Sequence, residues 1–339
     1  MAHGTAPSLP DAVRASCARV VAAARDVAID DAALARFATS FGGSFAAPEW
    51  SAGDFHFGDD VVTGGALTAQ YILVLDALNF CFWPSATGTE YDALAAGLRD
   101  ALRADARALD AGALARATAA TVAGWVRAPH ALPFLEERAA RVREVGAVLG
   151  ARFGGSALAL VRAARGSAAA LAALVAEAFP GFRDAAVYVG ADGAPAPVYF
   201  YKRAQIFAGD VWTAFGKGAP PAAAGAGAAF DDISALTAFA DYRLPQLLRA
   251  VGALRYSAAL GAAVDAREEL TAGGAREVEI RAATVVAVER LRDLLAAAQP
   301  PGAPRLTAVE VDHALWHRGE AEAAAGALGE HHRVRTIFY

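Results

Sequence analysis

Leu132-Pro133-Phe134-Leu135-Glu136-Glu137-Arg138-Ala139-Ala140-Arg141-Val142-Arg143-Glu144-Val145-Gly146-Ala147-Val148-Leu149 brings an apolar side chain round every three or four residues. That is the period of an α-helix, about 3.6 residues per turn, rather than the period of two of a half-buried strand. The spacing of Glu136, Glu137, Arg138 and Arg141 suits a solvated helix face. The same alanine-rich period returns over residues 11–25, 31–39, 91–109, 157–178, 281–298 and 309–326. Alanine is the best helix former of all residues, so the pattern predicts a mainly α-helical protein.

Strand signals are few. Residues 186–190 and 197–200 flank an Ala-Asp-Gly-Ala-Pro turn and resemble a hairpin. The β-branched and aromatic tail, 333–339, predicts a short edge strand, and the Gly-, Pro- and Ala-rich stretch 216–229 predicts a loop. No repeat of fixed period and no domain boundary emerges, so a single unit over residues 1–339 with a minor β element is expected.

Composition narrows the function classes. The 339 residues are 56% hydrophobic and 20% charged, which allows a sizeable core. The net charge of -5 argues against a general nucleic-acid binder, which needs a basic face to displace phosphate counterions, but leaves room for a small anionic ligand. With Cys17 and Cys81 alone and no signal-peptide pattern over residues 1–10, the expectation is a reduced protein of the cytoplasm. No uninterrupted apolar run approaches the roughly 18 residues of a membrane span, so no membrane role is expected. Nearly every cation is Arg; Lys202 and Lys217 are the only lysines and Asn79 the only asparagine. In a chain that has replaced these residue types almost everywhere, the survivors are candidates for a chemical role.

The uncommon residues gather in a few blocks. Leu75-Asp76-Ala77-Leu78-Asn79-Phe80-Cys81-Phe82-Trp83 comes first, then Tyr201-Lys202-Arg203-Ala204-Gln205-Ile206 with Asp210-Val211-Trp212. Phe230-Asp231-Asp232-Ile233, Phe239-Ala240-Asp241-Tyr242-Arg243-Leu244-Pro245-Gln246 and Gly252-Ala253-Leu254-Arg255-Tyr256-Ser257 follow. Glu277-Val278-Glu279-Ile280-Arg281-Ala282, then Asp312 with Leu315-Trp316, and finally Val334-Arg335-Thr336-Ile337-Phe338-Tyr339 complete the set. In this order and spacing, over roughly residues 50–339, the chain resembles the queuosine-salvage family of queuosine 5'-phosphate N-glycosylase/hydrolases. The resemblance implies a helical fold akin to the DNA glycosylases. It also implies hydrolysis of queuosine 5'-monophosphate to queuine and ribose 5-phosphate, with a small-molecule substrate and no cofactor.

The residues carry their own reading beside that. Asp76, Asn79, Phe80 and Trp83 fall at i, i+3, i+4 and i+7, one helical stripe. The stripe is either core or a base pocket in which an aromatic platform stacks a deazaguanine and the amide and carboxylate read its edge. Lys202 and Gln205 share a helix face, with Arg203 and Asp210 on another; Arg203 and Asp210 suit a structural ion pair. Lys202, beside Tyr201, either reaches a phosphate or ribose oxygen as a compact point charge or is merely solvated. Asp232, with Asp231, either caps the helix expected after it or belongs to the site. Asp241, between aromatic neighbours and next to Tyr242 and Arg243, either activates water and stabilises a cationic sugar or forms a structural pair with Arg243. Asp312 is a second carboxylate or a cap, and His56 either contacts the sugar phosphate or is a satisfied buried histidine.

Other patterns lead elsewhere and are set aside. His313 and His317 share a face as metal ligands do, but the Glu of a zincin and a third ligand are missing, so no metal is expected. Gly225-Ala226-Gly227 lacks the strand and full spacing of a dinucleotide fingerprint, and Gly216-Lys217 is not a phosphate-binding loop. The expected activity is therefore metal-free N-glycoside hydrolysis, with Asp241 as the first catalytic candidate and Asp312 and Asp232 behind it. The rivals are a noncatalytic queuosine- or queuine-binding protein and a nucleic-acid base glycosylase, the latter opposed by the acidic net charge.

Overall fold

Several helices start where the sequence offers a side-chain oxygen to the backbone N–H groups that no helical carbonyl can reach. Ser8 accepts from Asp11 at the head of α1 (Leu9–Ala23), and after the short strand β1 (Val27–Ile29) Asp30 accepts from Ala33 at the head of α2 (Asp31–Thr39). The computed structural model describes residues 7–41, 45, 55–84, 91–126, 129–190, 193–217 and 227–339. It divides the chain into two compact units, each assembled from separated stretches. Met1–Pro48, Asp184–Lys202 and Ser234–Thr336 make the first; Glu49–Arg183, Arg203–Ile233 and Ile337–Tyr339 make the second.

The second unit begins with α3 (Ala66–Leu78), α4 (Tyr91–Ala104), α5 (Ala111–Leu114), α6 (Ala119–Gly124) and α7 (Leu135–Arg152), then α8 (Ala157–Ala163) and α9 (Ala168–Ala178). Helix α3 is buried from Thr68 to Leu78, as a helix apolar on all sides must be. Its one amide, Gln70, is satisfied at both ends, donating to the Leu109 carbonyl and accepting from the Ala157 N–H at 2.9 and 3.0 Å. The helix expected over 157–178 is two helices. Arg165 and Gly166 turn the chain at φ 53° and 80°, and Ser167 restarts it by capping α9 through the Ala170 N–H.

The first unit resumes with the hairpin strands β2 (Ala185–Val189) and β3 (Pro195–Tyr199), paired antiparallel with Ala185 opposite Tyr199. Helix α10 (Lys202–Val211) carries the chain across to the second unit after its first residue and runs on into a π turn, Trp212–Gly216. Back in the first unit lie α11 (Arg243–Ala250), β4 (Leu254–Tyr256), α12 (Ala258–Asp265), α13 (Ala275–Ala298) and α14 (Ala308–Ala324). Strand β4 pairs antiparallel with β1, Val27 opposite Tyr256. Helix α13 is the spine of this unit. One face packs Ile280, Ala283, Ala287 and Leu291 with Leu34, Leu244 and Leu315; another packs Val278, Ala282 and Val285 with Val13, Cys17 and Phe200. The architecture is mainly α with a minor antiparallel β component.

Two sequence expectations need correction. Arg138 is fully buried rather than solvated, because its guanidinium is taken up by carbonyls: Pro133 at 2.8 Å, Cys81 at 2.9 Å, and those of Leu78 and Phe80. Residues 333–339 form no strand; Arg333 makes an isolated bridge with Glu269, and the Tyr339 carbonyl accepts the Cys81 N–H at 2.8 Å. Most of the loop expected over 216–229, including Gly225 and Ala226, lies outside the described residues. Among the described residues no single helix is long and apolar enough to cross a membrane.

Candidate active site

Two aspartates of the first unit are wired to one short segment, Phe239 to Leu244. Asp241 precedes α11, and its Oδ1 accepts the N–H groups of Arg243 and Leu244, each at 2.9 Å. Asp312 sits in the second turn of α14, and its Oδ1 accepts the Phe239 N–H at 2.7 Å. The cap of α14 is made by Thr307 and Glu310 in a reciprocal capping box, so Asp312 is not spent on that role. Burial raises the Asp312 carboxyl, and the charge of Asp241 adds to the rise; His313, the Phe239 N–H and Lys202 oppose it, leaving the group at about 8. Asp312 is therefore a neutral acid at pH 7, beside a second carboxyl group.

Lys202 is buried at the start of α10, and its charge is felt at Asp312. A lysine is almost never buried unless other groups hold it. Here Asp184 sets the backbone: its carbonyl accepts the N–H groups of Phe200 and Tyr201, both at 3.0 Å, and its Oδ2 accepts that of Lys202 at 3.2 Å. Tyr201 takes a left-handed φ of 47°, and its ring stacks on Tyr199 with centroids 5.6 Å apart. Arg281 of α13 grips both Asp184 oxygens at 2.9 and 2.6 Å, lies 3.9 Å from the Phe200 ring centroid, and donates from Nε to the Ala240 carbonyl at 3.2 Å.

Arg243 opens α11. Its guanidinium binds Glu320 at 2.7 and 3.2 Å and the Gln246 side-chain Oε1 at 2.7 Å. Gly319 makes this possible, since a Cβ there would come within 2.9 Å of the Arg243 stem. Tyr242 packs its ring 4.7 Å from His331, whose imidazole is held below its ordinary range by burial.

The remaining candidates lie in the second unit. Helix α3 ends at Leu78, so Asp76, Asn79, Phe80 and Trp83 do not form one helical stripe. The helix stops because two guanidinium groups collect its last carbonyls. Arg203 donates to Asp76 at 3.2 Å and also to Ala77 and Gly181; Arg138 donates to Leu78. Cations at a helix C-terminus also suit its dipole. Both arginines lie against the buried Phe80 ring, 4.4 and 5.2 Å from its centroid, which gives Phe80 a packing role; Asn79 is the half-buried C-cap, and Trp83 is partly exposed. Asp76 and Gln205 are fully buried, and His56 Nε2 lies 2.9 Å from the Tyr91 hydroxyl. Asp232 caps α9, not the helix after it: its carboxylate accepts the Ala168 and Ala169 N–H groups at 2.6 and 3.3 Å and the Ser167 hydroxyl at 2.6 Å.

Sequence reasoning assigned no role to Asp184, Arg281, Glu279, Glu320 or His331. Three acidic or basic residues in Glu277-Val278-Glu279-Ile280-Arg281 spaced within a helical apolar run were the available signal. All three are buried: Glu279 accepts the N–H groups of Arg25, Asp26 and Val27 and the Tyr188 hydroxyl, and Glu277 lies 3.5 Å from Arg281. Among the described residues no three His, Cys, Asp or Glu side chains converge as a metal ion requires.

A family model described as queuosine salvage protein matches residues 61–339. The chain is 43% identical over 296 residues to the queuosine 5'-phosphate N-glycosylase/hydrolase of Dictyostelium discoideum, covering 86% of this chain and 85% of that one. It is also 43% identical over 330 residues to the protein of that name from Sphaerobacter thermophilus, with 95% of each covered. The Mus musculus protein of the same name is 35% identical over 289 residues, 79% of this chain and 81% of its own. The chain belongs to the queuosine salvage protein family.

Proposed function

We propose that this protein hydrolyses the N-glycosidic bond of queuosine 5'-monophosphate, releasing queuine and ribose 5-phosphate. The observation that supports this most is the Asp241 and Asp312 pair, in which Asp312 is held protonated at neutral pH beside Asp241. Two carboxyl groups with separated roles are what acid–base cleavage of a glycosidic bond needs. Asp312 gives its proton to the departing base as the bond from C1′ to nitrogen breaks. Asp241, through Oδ2, faces the positive charge that builds on the sugar and takes a proton from the water whose oxygen bonds to C1′. Passage of that proton back to Asp312 resets the pair.

Lys202, in the same unit, is assigned to the 5'-phosphate, whose charge a compact ammonium matches. Tyr242 and Arg243 follow Asp241 in sequence, Tyr201 precedes Lys202, and all three are assigned to substrate positioning. No part in these steps is assigned to His56, Asp76, Asn79, Phe80, Trp83 or Gln205, which belong to the second unit. Asp232, with both oxygens engaged at the head of α9, is assigned a structural role. The protein acts without cofactor or metal, on a small molecule rather than on polymeric nucleic acid.

Incubation with queuosine 5'-monophosphate, queuosine, common nucleotides and queuosine-containing tRNA, with mass detection of free base, tests this. Queuine is expected from the monophosphate, with or without chelator. Tight binding without release would indicate a binding protein, and release from intact tRNA a nucleic-acid glycosylase.

A further inference from the structure

The three guanidinium nitrogens of Arg281 reach both the segment that precedes Asp241 and the one that leads into Lys202. Nη1 and Nη2 hold Asp184, which in turn takes the backbone N–H of Lys202; Nε holds the carbonyl of Ala240, the residue before Asp241. The planar fork fixes the directions of these donors relative to one another. Phe200 covers the guanidinium on one side, and Glu277 supplies a second carboxylate at 3.5 Å. The cluster is nearly dry, with Arg281, Asp184 and Glu277 each no more than 3% exposed. Such a buried ion cluster is weak evidence for stability, because desolvation offsets much of its attraction. It does constrain geometry, since a buried charge cannot leave its partners cheaply.

We propose that Arg281, clamped by Asp184, is a positioning residue that fixes Lys202 and Asp241 relative to each other. This rests on the hydrolase reading of the site. Without the fork, the 239–244 segment and the start of α10 lose the side chain that joins Asp184 to the Ala240 carbonyl. Asp241 then no longer holds a constant place beside Asp312, and Lys202 no longer holds one beside either. The groups whose charge bears on Asp312 are Asp241, His313 and Lys202, and two of these three hang on the clamp.

The test is Arg281→Lys, which keeps a cation against Asp184 and Glu277 but cannot serve Asp184 and Ala240 together. The variant is expected to keep its fold by circular dichroism and to lose about ten- to a hundredfold in kcat with a smaller change in KM, as loss of alignment predicts. In an Asp241→Asn background the same substitution should cost less than about threefold, because the group it positions is already disabled. Additive losses in the two backgrounds would overturn the proposal, as would parental kcat in a folded Arg281→Lys protein. Asp184→Asn is the second variant, should Arg281→Lys not fold. Its amide presents one oxygen and one NH2 group, so one of the two fork nitrogens loses its acceptor, and the same non-additive loss is expected. A readout independent of turnover separates this from failure of the hydrolase reading. Carbon NMR titration of Asp312, assigned by its disappearance in Asp312→Asn, should move in Arg281→Lys even if the parent protein releases no base. An unmoved titration in either clamp variant would refute the positioning role.

Discussion

Asp312→Asn removes the proton from the acid while keeping the shape and the oxygen that accepts from Phe239. The parent Asp312 titrates at about 8, so about nine-tenths of it is protonated at pH 7 and about one-hundredth at pH 10. If protonated Asp312 is the acid, kcat/KM for queuosine 5'-monophosphate stays level toward neutral pH. It then falls about tenfold per unit above pH 8, because kcat/KM reports the free enzyme. The carboxamide of the variant cannot give up that proton, so the variant should lose roughly a hundredfold or more at pH 7 and show no alkaline limb. Initial rates of base release from pH 5.5 to 10, measured by chromatography, supply the profile. An alkaline limb that persists near pH 8 in Asp312→Asn would refute the assignment. The same carboxyl has a stability signature. Its folded pKa lies above the ordinary carboxylate value, so its contribution is full below about pH 4 and is lost progressively as the pH rises to about 8. The parent Tm should therefore drop more between pH 5 and 8 than the Tm of Asp312→Asn.

Asp241→Asn should keep the fold, since an amide oxygen still accepts the Arg243 and Leu244 N–H groups, and should lose roughly a hundredfold or more in kcat; near-parental turnover would move its role elsewhere. Lys202→Ala should lower kcat/KM for the monophosphate by about 10- to 150-fold, the worth of one charge-assisted contact, and barely affect the nucleoside. Equal losses on both substrates would show that the lysine acts on the carboxylates rather than the phosphate, and Lys202→Arg should restore only part.

The helical class was legible because alanine-rich periods such as 31–39 and 309–326 are repeated and carry their own caps, Asp30 and Thr307. The strands β1 and β4 were not, because three residues are too few to display an alternation. The apparent stripe from Asp76 to Trp83 misled for a different reason. Periodicity describes what a segment would bury if it stayed helical, and α3 is ended by arginines from distant positions, 138 and 203. Sequence distance also hid Asp184 and Arg281, whose meaning lies in the 97-residue separation that their ion pair closes. The two lysines singled out by their rarity differ in the structure: Lys202 is buried near Asp312, and Lys217 is exposed. Asp312 could be marked as a candidate, but its protonation depends on burial and on Asp241, neither of which a sequence displays.

The central claim is that this chain cuts queuosine 5'-monophosphate itself. Purified protein and that nucleotide in phosphate-free buffer, sampled over time by mass spectrometry, should yield queuine and ribose 5-phosphate in equal amounts over many turnovers. Binding of the nucleotide with no queuine released, or release that requires added phosphate, would contradict it.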